Sequence, residues 1–315
     1  MNVNKCTRAG GTFVFWVADW FALMNDKMGG DLAKIQIVGE YLIEVWRAAG
    51  MDLSNDQVVF KWASQEITQQ ARAYWPQMLD IARRFNITRV KKCCQIMGRL
   101  EGGLTAAQVL YPLMQCTDVF FLNANICQLG VDQRKVNMLA REYAAFKDAK
   151  KRPPVILSHH MLYGLKAGQE KMSKSDPDSA VFMEDTEEDV RRKIMAAYCP
   201  SKPELSATSE KSTEEEDAGK SSMHLVKDDL KNPCLDYVKN IIFSPPDATF
   251  QSFTDSKKYN SFDQVKEAFL SGEMSEIELK EVSFLQSSLL HLRTCLSYLF
   301  MTLNAGYYLG IEQVA

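Results

Sequence analysis

The chain has 315 residues, long enough for two domains, and its 46% hydrophobic and 24% charged residues are ordinary for a globular protein. A net charge of −3 excludes a protein that holds nucleic acid by bulk attraction, so any RNA contact must come from local basic clusters. Eight scattered cysteines and fifteen methionines indicate a reducing, cytoplasmic setting. No apolar run reaches transmembrane length, so we expect no membrane contact.

The first part of the chain alternates strand and helix patterns. Gly11 to Val17 is a continuous apolar, aromatic and β-branched run, which predicts a buried parallel strand. Asp31 to Ala49 carries apolar residues at helical spacing, and Val58 to Trp62 predicts a second strand before a polar helix. Strand, helix and strand of these lengths predict an α/β fold with a doubly wound parallel, Rossmann-like sheet.

A basic helical segment follows, and residues 75–118 predict a pair of helices. Its cationic side chains are Arg83, Arg84, Arg89, Lys91, Lys92 and Arg99. Most such clusters are solvated helix edges, and a surface that contacts RNA is the alternative. Pro153 to Ser158 then predicts a last short strand.

The composition changes in the C-terminal part. Thr186 with Asp189 predicts the start of a helix. Residues 201–224 are rich in Ser, Glu and Lys and lack core-forming side chains, so we expect a disordered acidic insert there. Helical patterning then returns in three stretches, Leu225 to Phe243, Phe262 to Leu270 and Ile277 to Leu303.

A polar stripe marks one candidate pocket. Tyr111, Gln115 and Asp118 are spaced i, i+4 and i+7, so they share one face of a helix. Such a stripe among apolar neighbours fits the floor of a polar pocket, and a helix face open to solvent is the alternative. The run Gly-Val-Asp-Gln-Arg-Lys from Gly130 to Lys135 follows it.

A second candidate site is the loop Lys171-Met172-Ser173-Lys174-Ser175. Two lysines three residues apart, among small hydroxyl residues, can supply ammonium groups and hydroxyl donors to a polyphosphate. A solvated charged loop is the alternative interpretation.

Together these motifs resemble those of the tyrosyl-tRNA synthetases of the eukaryotic and archaeal kind, which are class I aminoacyl-tRNA synthetases. The loop from Lys171 to Ser175 matches the second class I signature, and the run from Gly130 to Lys135 is similar to the family's Gly-x-Asp-Gln-Arg-Lys motif. The resemblance implies a ligase that activates tyrosine with ATP to tyrosyl-adenylate and transfers it to tRNA(Tyr). It also implies a catalytic Rossmann-like domain over residues 1–180 and a mainly helical, anticodon-binding-like domain over 181–315. The connective insert at about 75–118 would carry contacts to the dimer partner and to the acceptor stem, so the resemblance favours RNA contact for its basic cluster.

The same resemblance assigns roles to residues. Tyr111 and Gln115 would hold the α-ammonium group of tyrosine, with Gln133 also contacting the amino acid, and Asp118 would accept a hydrogen bond from the substrate phenol. The residues implied for ATP are Gly130, Asp132, His160, Met161, Leu162, Lys171 and Lys174. Lys171 and Lys174, with Ser173 and Ser175, would grip the pyrophosphate as catalytic groups.

The implied substrates and partners are tyrosine, ATP with Mg²⁺ on its phosphates, and tRNA(Tyr), and the resemblance implies a homodimer. No permanently bound cofactor or metal held by the protein is expected.

The sequence departs from the family in several places. It has no histidine before His159, so the first class I signature, His-Ile-Gly-His or a variant, is absent, as is the opening strand with a further tyrosine. We therefore expect the sequence to begin after that motif, which puts activation by this chain alone in question. Cys127 and Leu129 stand where the family usually has glutamine and glycine.

The C-terminal segment offers few RNA contacts, because Lys280 and Arg293 are the only basic residues from Lys280 to the end. One aromatic and basic cluster is the candidate for meeting anticodon bases: Phe250, Phe253, Lys257, Lys258 and Tyr259. Two alternatives to a tyrosine ligase remain. One is a non-catalytic fragment or pseudo-subunit that binds tyrosine or tRNA, and the other is a tryptophanyl-tRNA synthetase.

Overall fold

The computed structural model describes residues 2–48, 50–94, 103–147, 152–169, 172, 176–182, 185–201, 231–245, 247–254 and 256–284, and the backbone of 307–312. The chain divides into two compact units, one of Met1–Met161 with Leu292–Ala315 and one of Leu162–His291. The domain boundary expected between residues 180 and 181 stays a prediction.

The strands of the described chain are, in order, β1 (Thr12–Val17), β2 (Val58–Trp62), β3 (Ile126–Gly130), β4 (Val155–His159), β5 (Phe250–Gln251), β6 (Lys258–Tyr259) and β7 (Tyr307–Glu312). The helices are α1 (Asn2–Arg8), α2 (Asp19–Met24), α3 (Leu32–Ala48), α4 (Ala63–Gln69), α5 (Ala71–Arg84), α6 (Ile87–Cys94), α7 (Ala106–Phe121), α8 (Arg134–Lys147), α9 (Glu187–Ala196), α10 (Pro233–Tyr237) and α11 (Phe262–Ser271). A π-helical turn, Val238–Ile242, continues α10, and residues 276–284 are also helical.

The first unit is built on a five-stranded sheet in the order β2-β1-β7-β3-β4. β1 pairs with β2 in parallel, and β3 pairs with β4 in parallel. The doubly wound parallel sheet predicted from the sequence is confirmed in these four strands, which alternate with helices along the chain. β3 was not predicted, because its five residues, Ile-Cys-Gln-Leu-Gly, show neither alternation nor β-branched enrichment.

β7 is a strand in the C-terminal region, which the sequence predicted to be mainly helical. It lies between β1 and β3 and runs antiparallel to both, so that residue 12 pairs with residue 312. Its segment, Tyr-Tyr-Leu-Gly-Ile-Glu, contains aromatic and β-branched residues of high strand propensity. Its pairing with β1 and β3 places these six residues in the sheet of the first unit.

The core of the first unit surrounds β1, whose residues Phe13 to Val17 are each at most 2% exposed. Burial on both faces explains why the sequence shows a continuous apolar run there rather than alternation. On one face Phe15 stacks on Trp46 of α3 and Phe60 of β2, with ring centroids 4.9 and 4.8 Å apart. These contacts bring α3 and β2 against the first strand.

The basic segment forms three helices, α5, α6 and α7, where the sequence predicted a pair. Several of its cations bind carboxylates within the chain: Arg83 and Arg84 pair with Asp80, and Arg89 pairs with Glu142. Arg99 lies outside the described residues. The pairing favours the solvated helix edge for these three arginines over a surface reserved for RNA.

The second unit contains α9, α10, α11 and the two-stranded ribbon of β5 and β6. Its predicted helix start is confirmed, because Thr186 and Asp189 form a reciprocal capping box at α9. The ribbon corrects part of the proposed anticodon cluster: Phe250 and Tyr259 are 0% and 4% exposed, so neither ring is open to a base, whereas Phe253 is exposed and stays a prediction. The acidic insert at 201–224 lies outside the described residues apart from Ser201.

None of the helices in the described part of the chain is both long enough and apolar enough to cross a bilayer.

Candidate active site

Helix α7 carries the polar stripe, and two sets of hydrogen bonds stabilise its first turns. Thr105 caps it, accepting from the Gln108 backbone N–H while the Gln108 side chain accepts from the Thr105 N–H. Pro112 lies inside the helix and has no N–H to offer the Gln108 carbonyl. The Cys94 thiol of α6 lies 3.2 Å from that carbonyl and donates to it, so the helix passes the proline with its carbonyl satisfied.

The stripe faces the protein interior. Tyr111, Gln115 and Asp118 are 3%, 1% and 1% exposed, so the solvent-facing alternative is wrong. The Tyr111 ring meets Phe21 of α2 edge-on, with centroids 5.0 Å apart. The three side chains therefore form a polar strip inside an otherwise apolar core.

Asp118 has an asymmetric environment. Its Oδ1 accepts a hydrogen bond of 2.7 Å from the hydroxyl of Tyr74 on α5. Its Oδ2 is buried and has no hydrogen-bond partner. Burial raises the pKa of Asp118 well above its usual range, while the hydrogen bond from Tyr74 and, to a lesser degree, the nearby Trp16 indole N–H, which makes no hydrogen bond of its own, act in the opposite direction. One oxygen is thus held and the other is available to a donor.

A chain of amides links α7 to the end of β3. The Gln115 amide donates to Gln133 Oε1 at 3.3 Å, and the Gln133 amide donates to Asp132 Oδ2 at 3.1 Å. Gln133 and Asp132 lie in a 3₁₀ turn, Val131–Gln133, directly after β3. Gln115 Oε1 is buried without a partner. The two motifs that were separate in the sequence therefore meet at the carboxyl end of the sheet.

The residues predicted for ATP in this unit lie at the ends of β3 and β4, where ligands of doubly wound sheets bind. Gly130 pairs in register with His159, so His160 and Met161 follow at the same edge as Asp132. A side chain at position 130 would place its Cβ 2.6 Å from Asp132 Oδ1, so glycine leaves room for that carboxylate to fold back over the strand. Leu162 is 1% exposed and belongs to the second unit.

The lysine loop is described in part. Lys171, Ser173, Lys174 and Ser175 lie outside the described residues, while Met172 between them is 7% exposed. Within the second unit the loop is flanked by an ion pair of 2.6 Å between Lys166 and Asp176. Their roles stay a prediction.

A second buried carboxylate, Asp19, lies at the end of β1 and is 2% exposed. It accepts from four groups: the Trp20 and Ser64 backbone N–H, the Ser64 hydroxyl and the Gln36 amide. All these distances are between 2.5 and 3.0 Å. Asp19 is therefore fully partnered and ties the ends of β1 and β2 together, unlike Asp118.

Sequence reasoning missed Tyr74 and Trp16. Tyr74 lies in an amphipathic helix where its spacing is that of any core residue, and Trp16 lies in an apolar strand. Neither position carries a motif. Their proximity to Asp118 depends on the packing of α5 and β1 against α7, which only the fold supplies.

A family model described as tRNA synthetases class I (W and Y) matches residues 1–288. The chain belongs to this family. Its relatives in the tyrosine branch include tyrosine–tRNA ligase 1, cytoplasmic, of Arabidopsis thaliana, which is 51% identical over 291 residues. That match covers 89% of this chain and 67% of the plant protein.

Solved synthetases share the fold. Leishmania major tyrosyl-tRNA synthetase in complex with tyrosinol has a TM-score of 0.79 and 54% identity, covering 96% of this chain and 53% of that one. Pyrococcus horikoshii tyrosyl-tRNA synthetase complexed with L-tyrosine has a TM-score of 0.72 and 29% identity, covering 91% and 79%. The chain thus spans about half the length of the Leishmania synthetase and about two thirds of the plant ligase.

Proposed function

We propose that this protein is a tyrosine–tRNA ligase, which activates tyrosine with ATP and transfers it to tRNA(Tyr). The observation that carries the proposal is Asp118 Oδ2, a buried carboxylate oxygen without a donor. Buried polar groups are nearly always hydrogen-bonded, so an orphan acceptor of this kind marks the place of a ligand donor. Membership of the class I (W and Y) family and the tyrosine-binding relatives support tyrosine as that ligand.

The phenol of tyrosine supplies the donor that Asp118 lacks. Phenylalanine would leave the carboxylate unpaired inside the protein. Sites built this way reject the analogue without the hydroxyl by about 10⁴–10⁵-fold, and a tyrosyl-tRNA synthetase is itself the known example of that figure. Asp19 shows the contrast, because a carboxylate with four donors has nothing to offer a substrate.

The other end of the amino acid would meet Tyr111, Gln115 and Gln133. Gln115 Oε1 is buried and unpartnered, so it can accept from the α-ammonium group. Gln133, linked to Gln115 at 3.3 Å, fixes the amide that bears this oxygen. The distance along α7 from Gln115 to Asp118 is one helical turn, and the substrate would lie along that turn.

ATP would enter as its Mg²⁺ complex at the carboxyl ends of β3 and β4. In the proposal Asp132 binds the ribose beside Gly130, and His160, Met161 and Leu162 lie along the adenine. Lys171 and Lys174, with Ser173 and Ser175, bind the pyrophosphate. The 2.6 Å approach of Asp132 Oδ1 to the Cβ position of Gly130 supports a carboxylate held at the strand end.

The reaction needs alignment and charge rather than a covalent enzyme intermediate. A carboxylate oxygen of tyrosine attacks the α-phosphorus, the bond from that phosphorus to the bridging oxygen breaks, and pyrophosphate leaves with the bonding electrons. The lysines would stabilise charge that grows on the departing phosphates. The 3′-terminal hydroxyl of tRNA then attacks the tyrosyl carbonyl, loses its proton, and releases AMP.

We propose a homodimer in the cytoplasm. The location is supported by the Arabidopsis relative, whose name includes the word cytoplasmic.

The test is isotope exchange between pyrophosphate and ATP with tyrosine, tryptophan or phenylalanine, together with calorimetric titration of each amino acid into the protein. We expect binding and exchange with tyrosine alone. Exchange with tryptophan alone would overturn the choice of substrate, and selective tyrosine binding without exchange would favour a non-catalytic tyrosine-binding protein.

A further inference from the structure

Tyr74 is a tyrosine inside the protein whose hydroxyl contacts the candidate substrate carboxylate. It is 0% exposed, and its hydroxyl lies 2.7 Å from Asp118 Oδ1 and 3.3 Å from the Met114 carbonyl. Its ring meets Phe121 and Trp75 edge-on, with centroids 5.1 and 5.7 Å apart. The ring is therefore held on both sides, and the hydroxyl has little freedom to leave the carboxylate.

The hydrogen bond decides which oxygen of Asp118 remains for a ligand. Oδ1 is taken by Tyr74, and Oδ2 is buried without a partner. A carboxylate whose Oδ1 accepts a short hydrogen bond can rotate little about the Cβ–Cγ bond, since rotation would break that hydrogen bond. Oδ2 therefore keeps one direction, and a donor must approach from that direction.

We propose that Tyr74 is a positioning residue that determines amino-acid specificity, because it holds Asp118 with Oδ2 presented to the phenol of the substrate. The inference rests on the proposed function and adds to it a residue from α5, outside the three motifs. Tyr74 acts through Asp118 and does not itself touch the substrate.

Tyr74 also favours the charged form of the carboxylate. Hydrogen bonding from Tyr74 is the larger of the two influences that lower the pKa of Asp118 against the effect of burial, and Trp16 of β1 supplies the other. Two further titratable groups lie near enough to feel Asp118: Cys116 on the same helix and Cys127 on β3. Burial raises the pKa of both thiols, so neither supplies a second negative charge at neutral pH.

The chain offers a matched control in Tyr143 on α8. Its hydroxyl donates to Asp80 Oδ2 at 2.7 Å, the same length as the Tyr74 contact, and its ring is likewise buried, at 2% exposure. Asp80 already binds Arg83 and Arg84, and nothing in the proposed site involves it. Removing either hydroxyl therefore deletes the same chemical group at the same distance from a carboxylate.

The experiment measures the dissociation constants of L-tyrosine and L-phenylalanine by calorimetry for the unmodified protein, Tyr74→Phe and Tyr143→Phe. We expect Tyr74→Phe to lower the preference for tyrosine over phenylalanine by about tenfold or more, because Asp118 loses the hydrogen bond that keeps Oδ2 directed toward the phenol. Phenylalanine affinity stays the same, since that ligand does not use Oδ2. Tyr143→Phe keeps the preference of the unmodified protein.

A second measurement separates positioning from a general structural role. Without the Tyr74 donor the pKa of Asp118 rises further, so the pH at which tyrosine affinity reaches half its maximum moves upward. Tyr143→Phe leaves that pH where it was.

An unchanged preference and an unchanged pH profile in folded Tyr74→Phe would overturn the inference. A Tyr74→Phe protein that fails to fold while Tyr143→Phe folds would also overturn it, since the residue would then be structural. If the unmodified protein itself prefers no amino acid, the proposed function fails first, and that result is distinct from both.

Discussion

Two hydrogen bonds between tyrosine and aspartate, each 2.7 Å long, share helix α5 but have opposite electrostatic outcomes. Tyr74 donates from α5 to Asp118, whose pKa is raised by burial. Tyr143 donates to Asp80 at the other end of α5, and that hydrogen bond, with those from Arg84 and Arg83, lowers the pKa of Asp80 to about 2. A hydrogen bond of the same length thus occurs with one carboxyl group whose pKa is raised and with another whose pKa is lowered.

The difference comes from what surrounds the second oxygen. Asp80 is partly exposed and shares its oxygens with two guanidinium groups and the Tyr143 hydroxyl, so neither oxygen is left buried without a partner. Asp118 is 1% exposed and keeps an oxygen without a partner. A protein tolerates such an acceptor where a ligand completes it, so the comparison separates a structural pair from a binding pair.

Replacing the binding carboxylate gives the largest expected effect. Asp118→Asn keeps the shape but replaces the carboxylate that we propose receives the phenol with a neutral amide, so we expect selectivity for tyrosine over phenylalanine to fall by about 100-fold or more. Asp80→Asn is the control and leaves selectivity unchanged. Competition between the two amino acids in pyrophosphate exchange, or calorimetry with each, measures this selectivity. An equal loss of selectivity in Asp118→Asn and Asp80→Asn would contradict the distinction between the Tyr74–Asp118 and Tyr143–Asp80 pairs.

A change at the phosphates gives a different signature. Lys174→Ala should lower the rate of activation by roughly 100-fold while tyrosine affinity changes little, because in the proposed mechanism the lysine acts on charge that develops after the amino acid has bound. Rapid-quench measurement of adenylate formation and calorimetry with tyrosine provide the two numbers. A parallel loss of tyrosine binding would make the loop a structural element.

Ser64→Ala removes a donor from Asp19, the fully partnered carboxylate. We expect it to lower the free energy of unfolding by about 1–3 kcal/mol, because the carboxylate loses the Ser64 hydroxyl and stays buried. Tyrosine selectivity should not change. Urea unfolding followed by fluorescence measures the stability, and a selectivity change without destabilisation would place Asp19 in the site.

The smallest effects are in the dependence of stability on pH, and their signs are opposite. The pKa of Asp118 is raised in the folded protein, which favours the neutral form of this carboxyl group. Its contribution to the free energy of unfolding is therefore present below the unfolded-state pKa near 3.8 and is lost as pH rises. The lowered pKa of Asp80 contributes above about pH 3.8 and is lost as pH falls toward 2.

Urea unfolding between pH 2 and 8 tests both signs. Relative to the unmodified protein, Asp118→Asn should gain stability as pH rises above 4. Asp80→Asn should be destabilised most above pH 4 and progressively less on acidification. Curves that run parallel to that of the unmodified protein at every pH would show that neither carboxylate is coupled to folding.

Much of the sheet could be predicted from the sequence, because burial on both faces leaves a run that cannot be mistaken. β1 is such a run, β2 was predicted from its β-branched and aromatic residues although all five are only partly buried, and the Thr186 capping box is a similarly local signal. β3 escaped prediction because five residues without alternation carry no period. β7 escaped because its pairing joins residue 12 to residue 312, and no local pattern encodes a partner so distant.

The site divides in the same way. Tyr111, Gln115 and Asp118 follow from helical spacing, and their burial agrees with the expected pocket floor. Tyr74 could not be found, because its hydroxyl matters only through the crossing of α5 and α7. The buried rings of Phe250 and Tyr259 make the complementary point, since an aromatic residue in a sequence does not reveal whether its ring is exposed.

The Cys94 thiol, which donates to the Gln108 carbonyl that Pro112 leaves without a backbone donor, can report chemically on the packing of α7. Cys94 is 2% exposed, and its pKa is raised chiefly by burial, so we expect it not to react with alkylating reagents while α6 stays packed on α7. Labelling at Cys94 therefore requires α6 to separate from α7. The alkylation rate, compared with and without tyrosine, reports how often α7, which carries Tyr111, Gln115 and Asp118, loses its contact with α6.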